Sequence, residues 1–265
     1  MPSRNKNIKY DQYKNSCTVL VTSCDSYEDL WGPFFKQFFK HWSDCPFPIY
    51  LGTETKVIDD NRITTVLSQG ERIWSNCLIK QIAQIQTPYI LLLLEDFFLR
   101  KDVHTEEVLV AFDFLLRHKG KMMRIGRNKP WPSRGIDGPI NKNINIAVIK
   151  PGYPCRITLQ AAFWEKQALI DLCKCGESIW QFETKGSERS WRWEEGFFCT
   201  MKDIFPYKHH VVARGKWLWY EALYFSNLNI GCDFSKRKLM TSRDYAKWIF
   251  YKIKSLFNRV LYFRR

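Results

Sequence analysis

Short apolar runs alternate with longer segments of helical periodicity through the first half of the chain. The runs predict strands at residues 18–23, 48–52, 62–67 and 89–94, and the periodic segments predict helices at residues 28–41 and 71–86. Strands that alternate with helices imply crossover connections between neighbouring strands. The pattern therefore predicts an α/β domain with a mostly parallel sheet flanked by helices.

The fourth predicted strand is the most hydrophobic of the set. Residues 89–94 are apolar at every position, which is typical of a central strand covered by helices on both faces. Beyond it the pattern predicts helices at 106–118 and 165–174, strands at 121–125 and 144–149, and a loop at 126–143. A loop of this length in a compact domain indicates a functional segment.

Two acids, Glu95 and Asp96, follow this strand directly. In an open α/β sheet, ligands bind beyond the carboxyl ends of the strands. Carboxylates placed there can hold a divalent cation, which in turn neutralises a diphosphate leaving group. The alternative is that the two acids only end the strand and cap the segment that follows.

Three segments resemble the nucleotide-sugar half of GT-A glycosyltransferases: residues 18–27 (TVLVTSCDSY), 74–86 and 91–98 (LLLLEDFF). The resemblance implies that Asp25 and Ser26 lie in the nucleotide-binding loop. It also implies that Glu95 and the catalytic Asp96 bind Mn²⁺ or Mg²⁺ with the sugar diphosphate. The usual motif separates two Asp by one residue, whereas these acids are adjacent. Because adjacent side chains of a strand face opposite ways, we expect one carboxylate to reach the metal directly.

A second block resembles the acceptor half of bacterial surface-polysaccharide and lipopolysaccharide glycosyltransferases. It comprises residues 157–164 (ITLQAAFW) and 176–183 (GESIWQFE). Inverting transfer to a hydroxyl needs a general base, and a carboxylate is the usual provider. The resemblance places Glu177 at the acceptor, with Glu183, Glu194 and Glu195 as competitors. The alternative is that these acids are solvated or paired with Arg189 and Arg192.

Cations in and beside the predicted loop, and tryptophans later in the chain, add two weaker signals. Four cations can clamp a diphosphate, because a guanidinium group donates two parallel hydrogen bonds to phosphate oxygens: Arg124, Arg127, Lys129 and Arg134. Of these, Arg127 is assigned to donor binding. An ordinary solvated loop is the alternative. Trp180, Trp191 and Trp193 lie among polar residues, which favours a sugar-stacking cleft wall, with core packing as the alternative.

Positive charge is concentrated at the end of the chain. Residues 236–265 carry ten Lys or Arg and one Asp, which is +9 of the total net charge of +14. A helix over residues 242–265 would be apolar on one face and basic on the other, as in helices that lie on anionic membranes. The alternative is a helix docked on the domain or in a dimer. Since the charge is in this segment, nucleic acid is not the expected partner.

Together these features predict one GT-A-like catalytic domain at residues 1–235 and a basic amphipathic tail at residues 236–265. The nucleotide-sugar half covers residues 17–125 and the acceptor half residues 126–235. The polar start of the chain and the lack of a long apolar run predict a cytoplasmic protein, peripheral on the inner membrane face. The expected partners are a nucleotide-sugar donor and a glycan or glycolipid acceptor. A nucleic-acid-binding protein and an inactive transferase-like scaffold are the alternatives.

Overall fold

A computed structural model describes residues 8–126, 144–153, 155–208 and 210–250. Its strands are β1 (Cys17–Thr22), β2 (Ile49–Thr53), β3 (Ile63–Leu67), β4 (Tyr89–Leu94), β5 (Met122–Arg124), β6 (Ile146–Val148), β7 (Ala162–Glu165), β8 (Phe197–Thr200), β9 (Val212–Ala213) and β10 (Lys216–Trp217). Its helices are α1 (Glu28–His41), α2 (Trp74–Ala83), α3 (Thr105–Arg117), α4 (Lys166–Leu172), α5 (Ile179–Ser190) and α6 (Trp219–Ser226), followed by α7 at residues 242–250. A 3-10 turn, Asp25–Tyr27, follows β1.

The first eight strands form one mixed sheet in the order β3-β2-β1-β4-β7-β5-β8-β6. Strands β3, β2, β1 and β4 are parallel, and β8 is parallel to β5. Strand β7 is antiparallel to both of its neighbours, and β6 is antiparallel to β8. The predicted fold class is therefore confirmed: an α/β domain with a mixed, mostly parallel sheet flanked by helices.

The core lies on both faces of this sheet. Alternate residues of β4 enter different clusters, so Leu91 and Leu93 pack on the aromatic side with α1 and α3. Ile90 and Leu92 pack on the opposite side with α2, α4 and α5. This division follows from the two-residue period of a strand, and it accounts for the unbroken apolar run.

Helix α2 starts three residues later than the apolar spacing predicts. Glu71 accepts hydrogen bonds from the backbone nitrogens of Arg72 and Ile73, each at 2.9 Å. These bonds hold the residues just before the helix in a turn, and Ile73 at the N-cap has extended backbone angles. The helix therefore begins at Trp74, because the extended backbone of Ile73 cannot belong to its first turn.

Residues 236–241 pack against the folded domain. The backbone nitrogen of Trp217 donates to the carbonyl of Lys238 at 3.0 Å, and that of Met240 donates to the carbonyl of Trp217 at 2.8 Å. Arg237 and Met240 are both buried. Helix α7 starts after this segment, and the rest of the predicted amphipathic helix, residues 251–265, lies outside the described part. Within the described residues, no helix is long and apolar enough to cross a membrane.

Candidate active site

The loops after β1 and β4 meet at one edge of the sheet. Strand β1 is parallel to β4 with Thr22 opposite Leu94, so the two strands end side by side. The chain after β1 carries Asp25 and Ser26, and the chain after β4 carries Glu95 and Asp96. The structure thus brings these four predicted site residues to the carboxyl edge of the sheet, where α/β proteins bind ligands.

A cleft of about 440 Å³ opens beside the loop after β1. One wall is formed by the loop itself and the start of α1, and the opposite wall by the β9–β10 hairpin and the segment before α7. The lining residues are Asp25, Ser26, Glu28 and Asp29 on the first wall, and Arg214, Gly215, Lys216, Lys236, Arg237 and Lys238 on the second. We call these the acidic wall and the basic wall. The sequence did not indicate the basic wall.

A tight hairpin turn shapes the basic wall. Arg214 and Gly215 join β9 to β10, and both have positive φ angles, of 53° and 72°. Two-residue turns of this kind usually carry Asn-Gly or Gly-Gly, because most other side chains disfavour positive φ. The backbone of Arg214 is therefore strained, and strained backbone positions are typical of functional loops.

Arg237 connects the two walls. Its Nε and Nη2 donate to the two carboxylate oxygens of Asp29 at 3.0 and 2.8 Å, an ion pair with two parallel hydrogen bonds. Its guanidinium also donates to the carbonyls of Ser26 at 2.8 Å and Gly215 at 3.2 Å, and its carbon lies 4.2 Å from the ring centre of Tyr27. The Arg237 side chain therefore holds the loop after β1 at a fixed distance from the β9–β10 hairpin.

Asp25 organises its own wall. Its carboxylate accepts hydrogen bonds from the backbone nitrogens of Glu54, Thr55 and Lys56, at 3.1 to 3.2 Å. Burial alone would raise the pKa of Asp25, but these bonds and the Thr55 hydroxyl lower the pKa below its usual value. The Asp25 carboxylate thus holds the loop after β2 in place, and the neighbouring Ser26 lines the cleft.

Glu95 is partly buried next to the cleft. Burial, followed by the negative charge of Asp96, raises the pKa of Glu95 to about 8, against the opposing effect of the Arg237 charge. Its carboxylate accepts a hydrogen bond from its own backbone, and among the described residues no hydrogen bond or ion pair joins it to another residue. A partly buried acid without a partner residue is a candidate ligand-binding group.

Asp96 faces a different partner. Its Oδ2 lies 3.1 Å from Nδ1 of His210, and its side chain is almost fully buried. His210 has a positive φ of 65°, again a strained backbone position. The two adjacent acids therefore have different surroundings: the charge of Arg237 acts on Glu95, and Asp96 pairs with His210. The sequence analysis did not connect His210 with the acids, because 113 residues separate them in the chain.

The Asp96–His210 pair has the donor atoms of a partial metal site. No group of three or more His, Cys, Asp or Glu is arranged for a metal ion in the part of the chain that the structure describes. Mg²⁺, however, is commonly held by one or two carboxylates together with substrate phosphates, and Mn²⁺ also prefers oxygen ligands. Metal binding by Glu95 and Asp96 therefore stays a prediction.

Glu177 and Glu183 lie elsewhere: Glu177 is just before α5 and next to α2, and Glu183 is within α5. Both oxygens of Glu177 accept hydrogen bonds from Arg189, at 2.9 and 2.6 Å, and its backbone nitrogen donates to Oγ of Ser75. Oε1 of Glu183 accepts from the Thr158 hydroxyl and the Leu159 nitrogen, each at 2.9 Å. Neither carboxylate contacts a residue that lines the cleft. Pairing with a neighbouring arginine, the alternative for Glu177, is the arrangement observed, and its role as base stays a prediction.

The other sequence candidates separate into buried and exposed groups. Arg124 is buried in β5 and donates to the carbonyls of Cys155 and Arg156, so its predicted place in a diphosphate clamp on a loop is wrong. Arg127, Lys129 and Arg134 lie outside the described residues. Trp180 is 74% exposed on α5, whereas Trp191 and Trp193 are partly buried.

The raised pKa of Glu95 predicts how stability varies with pH. Between its usual value of 4.5 and about 8, the native state binds more protons than the unfolded state. Stability should therefore fall as pH rises through this window, because the native state disfavours the ionised form. We expect Glu95→Gln to reduce this decline in the ligand-free protein. Thermal melts at pH 5 and pH 8.5 test this, and an unchanged pH dependence in the variant would contradict it.

Comparisons with known proteins add a distant similarity. The sequence matches no protein-family model and no curated protein. A crystal structure of S. aureus TarS 1–349 aligns with a TM-score of 0.40 and 11% identity, over 72% of this chain and 59% of that chain. A second S. aureus TarS structure aligns with a TM-score of 0.40 and 12% identity, over 86% of this chain and 41% of that chain.

The chain therefore spans less than two thirds of either TarS chain. TarS is a glycosyltransferase, and similarity at this level does not assign this chain to a family. It carries no argument about substrates or mechanism, which depend on the site itself.

Proposed function

We propose that this protein is a glycosyltransferase that transfers a sugar from a nucleotide-sugar donor to a lipid-linked or cell-surface glycan at the cytosolic face of a membrane. The observation that carries the proposal is the pairing of two features at one sheet edge. The carboxylates of Glu95 and of Asp96, which pairs with His210, follow β4. A cleft with five cations on its basic wall lies at the same edge of the sheet, and neither acid lines it. A nucleoside diphosphate with a divalent cation requires both features.

The basic wall supplies phosphate binding in this proposal. Lys236 and Lys238 are exposed and line the cleft, opposite the backbone of Ser26. Ammonium groups bind phosphate oxygens as mobile point charges, so they can follow the diphosphate as charge builds up on it during transfer. Arg237 is held by Asp29 and acts instead to keep the two walls in place.

The carboxylates supply metal and sugar binding. Asp96 and His210 would hold Mn²⁺ or Mg²⁺, and the cation would offset the charge of the departing nucleoside diphosphate. The carboxylate of Glu95 is within the electrostatic influence of Arg237, and it would accept hydrogen bonds from hydroxyls of the donor sugar. These roles match the expectation that one carboxylate of the pair reaches the metal and the other does not.

The acceptor side is defined less closely. Deprotonation of the acceptor hydroxyl needs a carboxylate within hydrogen-bond reach. Glu177 and Glu183 remain the proposed bases, and each would first have to release the protein donors that it accepts from in this structure. The basic tail would bring the enzyme to a lipid-linked acceptor.

A binding experiment tests the donor site. We expect Mn²⁺ to tighten the binding of a nucleoside diphosphate measured by calorimetry, across a panel of bases. The double variant Lys236→Ala/Lys238→Ala should bind about tenfold more weakly, equivalent to about 1.4 kcal/mol. The matched control is Arg243→Ala/Lys247→Ala, which removes the same charge from exposed positions of α7. Equal losses in both variants would indicate a general charge effect, and no binding to any nucleotide would contradict the proposed function.

A further inference from the structure

Helix α6 is apolar on two opposite faces. One face packs into the domain through Ala222 and Phe225, which are buried. The other face exposes Trp219 by 53%, Leu223 by 60% and Tyr224 by 40%. The outward face of a helix on a soluble domain is normally polar, and a cluster of large exposed apolar side chains marks an interaction surface.

The exposed face of α6 continues onto α7. The ring of Tyr220 lies 6.3 Å from that of Tyr245, and the ring of Tyr245 lies 5.6 Å from that of Trp248. At the end of the described chain, Phe250 is 65% exposed. We call Trp219, Leu223, Tyr224, Tyr245, Trp248 and Phe250 the α6–α7 surface. Tryptophan and tyrosine are the side chains enriched where a membrane meets water.

Positive charge borders this surface. The Arg100 guanidinium lies 4.2 Å from the ring centre of Tyr224, and the Lys208 ammonium lies 5.1 Å from that of Tyr220. Arg243 and Lys247 are exposed on α7 itself. The border therefore offers cations from three separate parts of the chain.

The acids of the two helices are already paired. Glu221 is fully buried and forms ion pairs with Arg100 and Lys208, and Asp244 pairs with Lys216 at 2.8 Å. An apolar centre with a positive border complements anionic lipid headgroups over an acyl layer. It fits a second copy of the chain less well, because the two borders would repel each other.

We infer that the α6–α7 surface docks on an anionic membrane, with Trp219 and Leu223 in the acyl boundary and the bordering cations at the lipid phosphates. The α6 part of this surface lies outside the predicted tail and adds to it, whereas α7 is the first part of that tail. Because Lys216 links α7 to the β9–β10 hairpin, docking would also hold the basic wall of the cleft at a set distance from the membrane. The inference does not depend on the proposed glycosyltransferase activity.

Vesicle binding by the full-length protein tests the inference. We expect co-sedimentation with vesicles that contain phosphatidylglycerol, and weaker binding to pure phosphatidylcholine. The variant Trp219→Ser/Leu223→Ser should lower the partition coefficient at least tenfold, which is about 1.4 kcal/mol. The matched control is Trp180→Ser, which removes a more exposed tryptophan from α5. All three positions are largely exposed, so circular dichroism should show an unchanged fold.

Each other outcome would overturn the inference. Undiminished vesicle binding by the double variant would show that α6 does not reach the lipid. Equal binding to neutral and anionic vesicles would remove the role of the bordering cations. If sedimentation velocity showed a dimer that the double variant abolishes, with vesicle binding unchanged, the occupant would be a second copy of the chain.

Discussion

Replacing Asp96 by alanine is expected to lower sugar transfer at least a hundredfold while the fold is retained. In the proposed mechanism Asp96 would help to hold a cation that offsets charge on the leaving diphosphate. Losing one such group typically costs two to three orders of magnitude in rate, or roughly 3 to 4 kcal/mol. The structural cost is smaller. Asp96 is buried, but its side chain makes one hydrogen bond in the structure, to His210, so we expect a loss of about 1 kcal/mol in stability.

The chain offers a close control for this variant. Asp102 also pairs with a histidine, its Oδ1 lying 2.8 Å from Nδ1 of His41, but its side chain is 79% exposed and lies away from the cleft walls. Asp102→Ala should leave both transfer and Mn²⁺ binding unchanged. His210→Ala should reproduce the weaker Mn²⁺ binding of Asp96→Ala. Full activity in Asp96→Ala, measured with donor and Mn²⁺ in excess, would remove this residue from the mechanism.

The site residues that follow β1 and β4 could be predicted from the sequence. Local patterns located β1 and β4, and the parallel arrangement then required the residues after them to share an edge. Asp25, Ser26, Glu95 and Asp96 therefore lie together as a consequence of hydrophobic periodicity. The same reasoning gave the fold class, because an apolar run with both faces buried needs helices on both sides.

The basic wall could not be predicted in this way. Arg237 pairs with Asp29 across 208 positions of the chain, and no local pattern records such a contact. The hairpin carries Arg-Gly at its turn, a weaker signal than Asn-Gly, and its strands are two residues long. Strand β8 has four residues, all buried, and is too short for periodicity to separate it from a helix.

Glu177 shows how a motif residue can have a structural role that leaves its predicted role as base untested. Its segment precedes α5, where Ser178 and Gln181 form a capping box that starts the helix. The Glu177 carboxylate is then buried against Arg189, which also donates to the carbonyl of Leu172. The acids and aromatic residues of this segment have structural roles here, in caps, ion pairs and packing, that account for their spacing without an acceptor.

We expect Glu177→Ala to destabilise the protein by about 2 to 3 kcal/mol, because it leaves the Arg189 guanidinium without its carboxylate. The value is below that of a fully buried pair, since the Arg189 side chain is 25% exposed and can be hydrated in part. For a chain of this length, the melting temperature should fall by roughly 5 to 10 °C. The control is Glu195→Ala, an exposed acid in the same region, which should change the melting temperature little.

Two further variants separate a structural role for Glu177 from a catalytic one. Replacing both partners, in Glu177→Met/Arg189→Met, should recover part of the lost stability, because no unpaired charge remains buried. Glu177→Gln keeps the shape of the side chain and removes its basicity. If Glu177 is structural, this variant should lose stability while turnover per folded molecule stays within a fewfold of the original. A fall in turnover of a hundredfold or more, with the melting temperature and nucleotide affinity unchanged, would instead restore Glu177 as the base, since a lost base affects the chemical step and not donor binding.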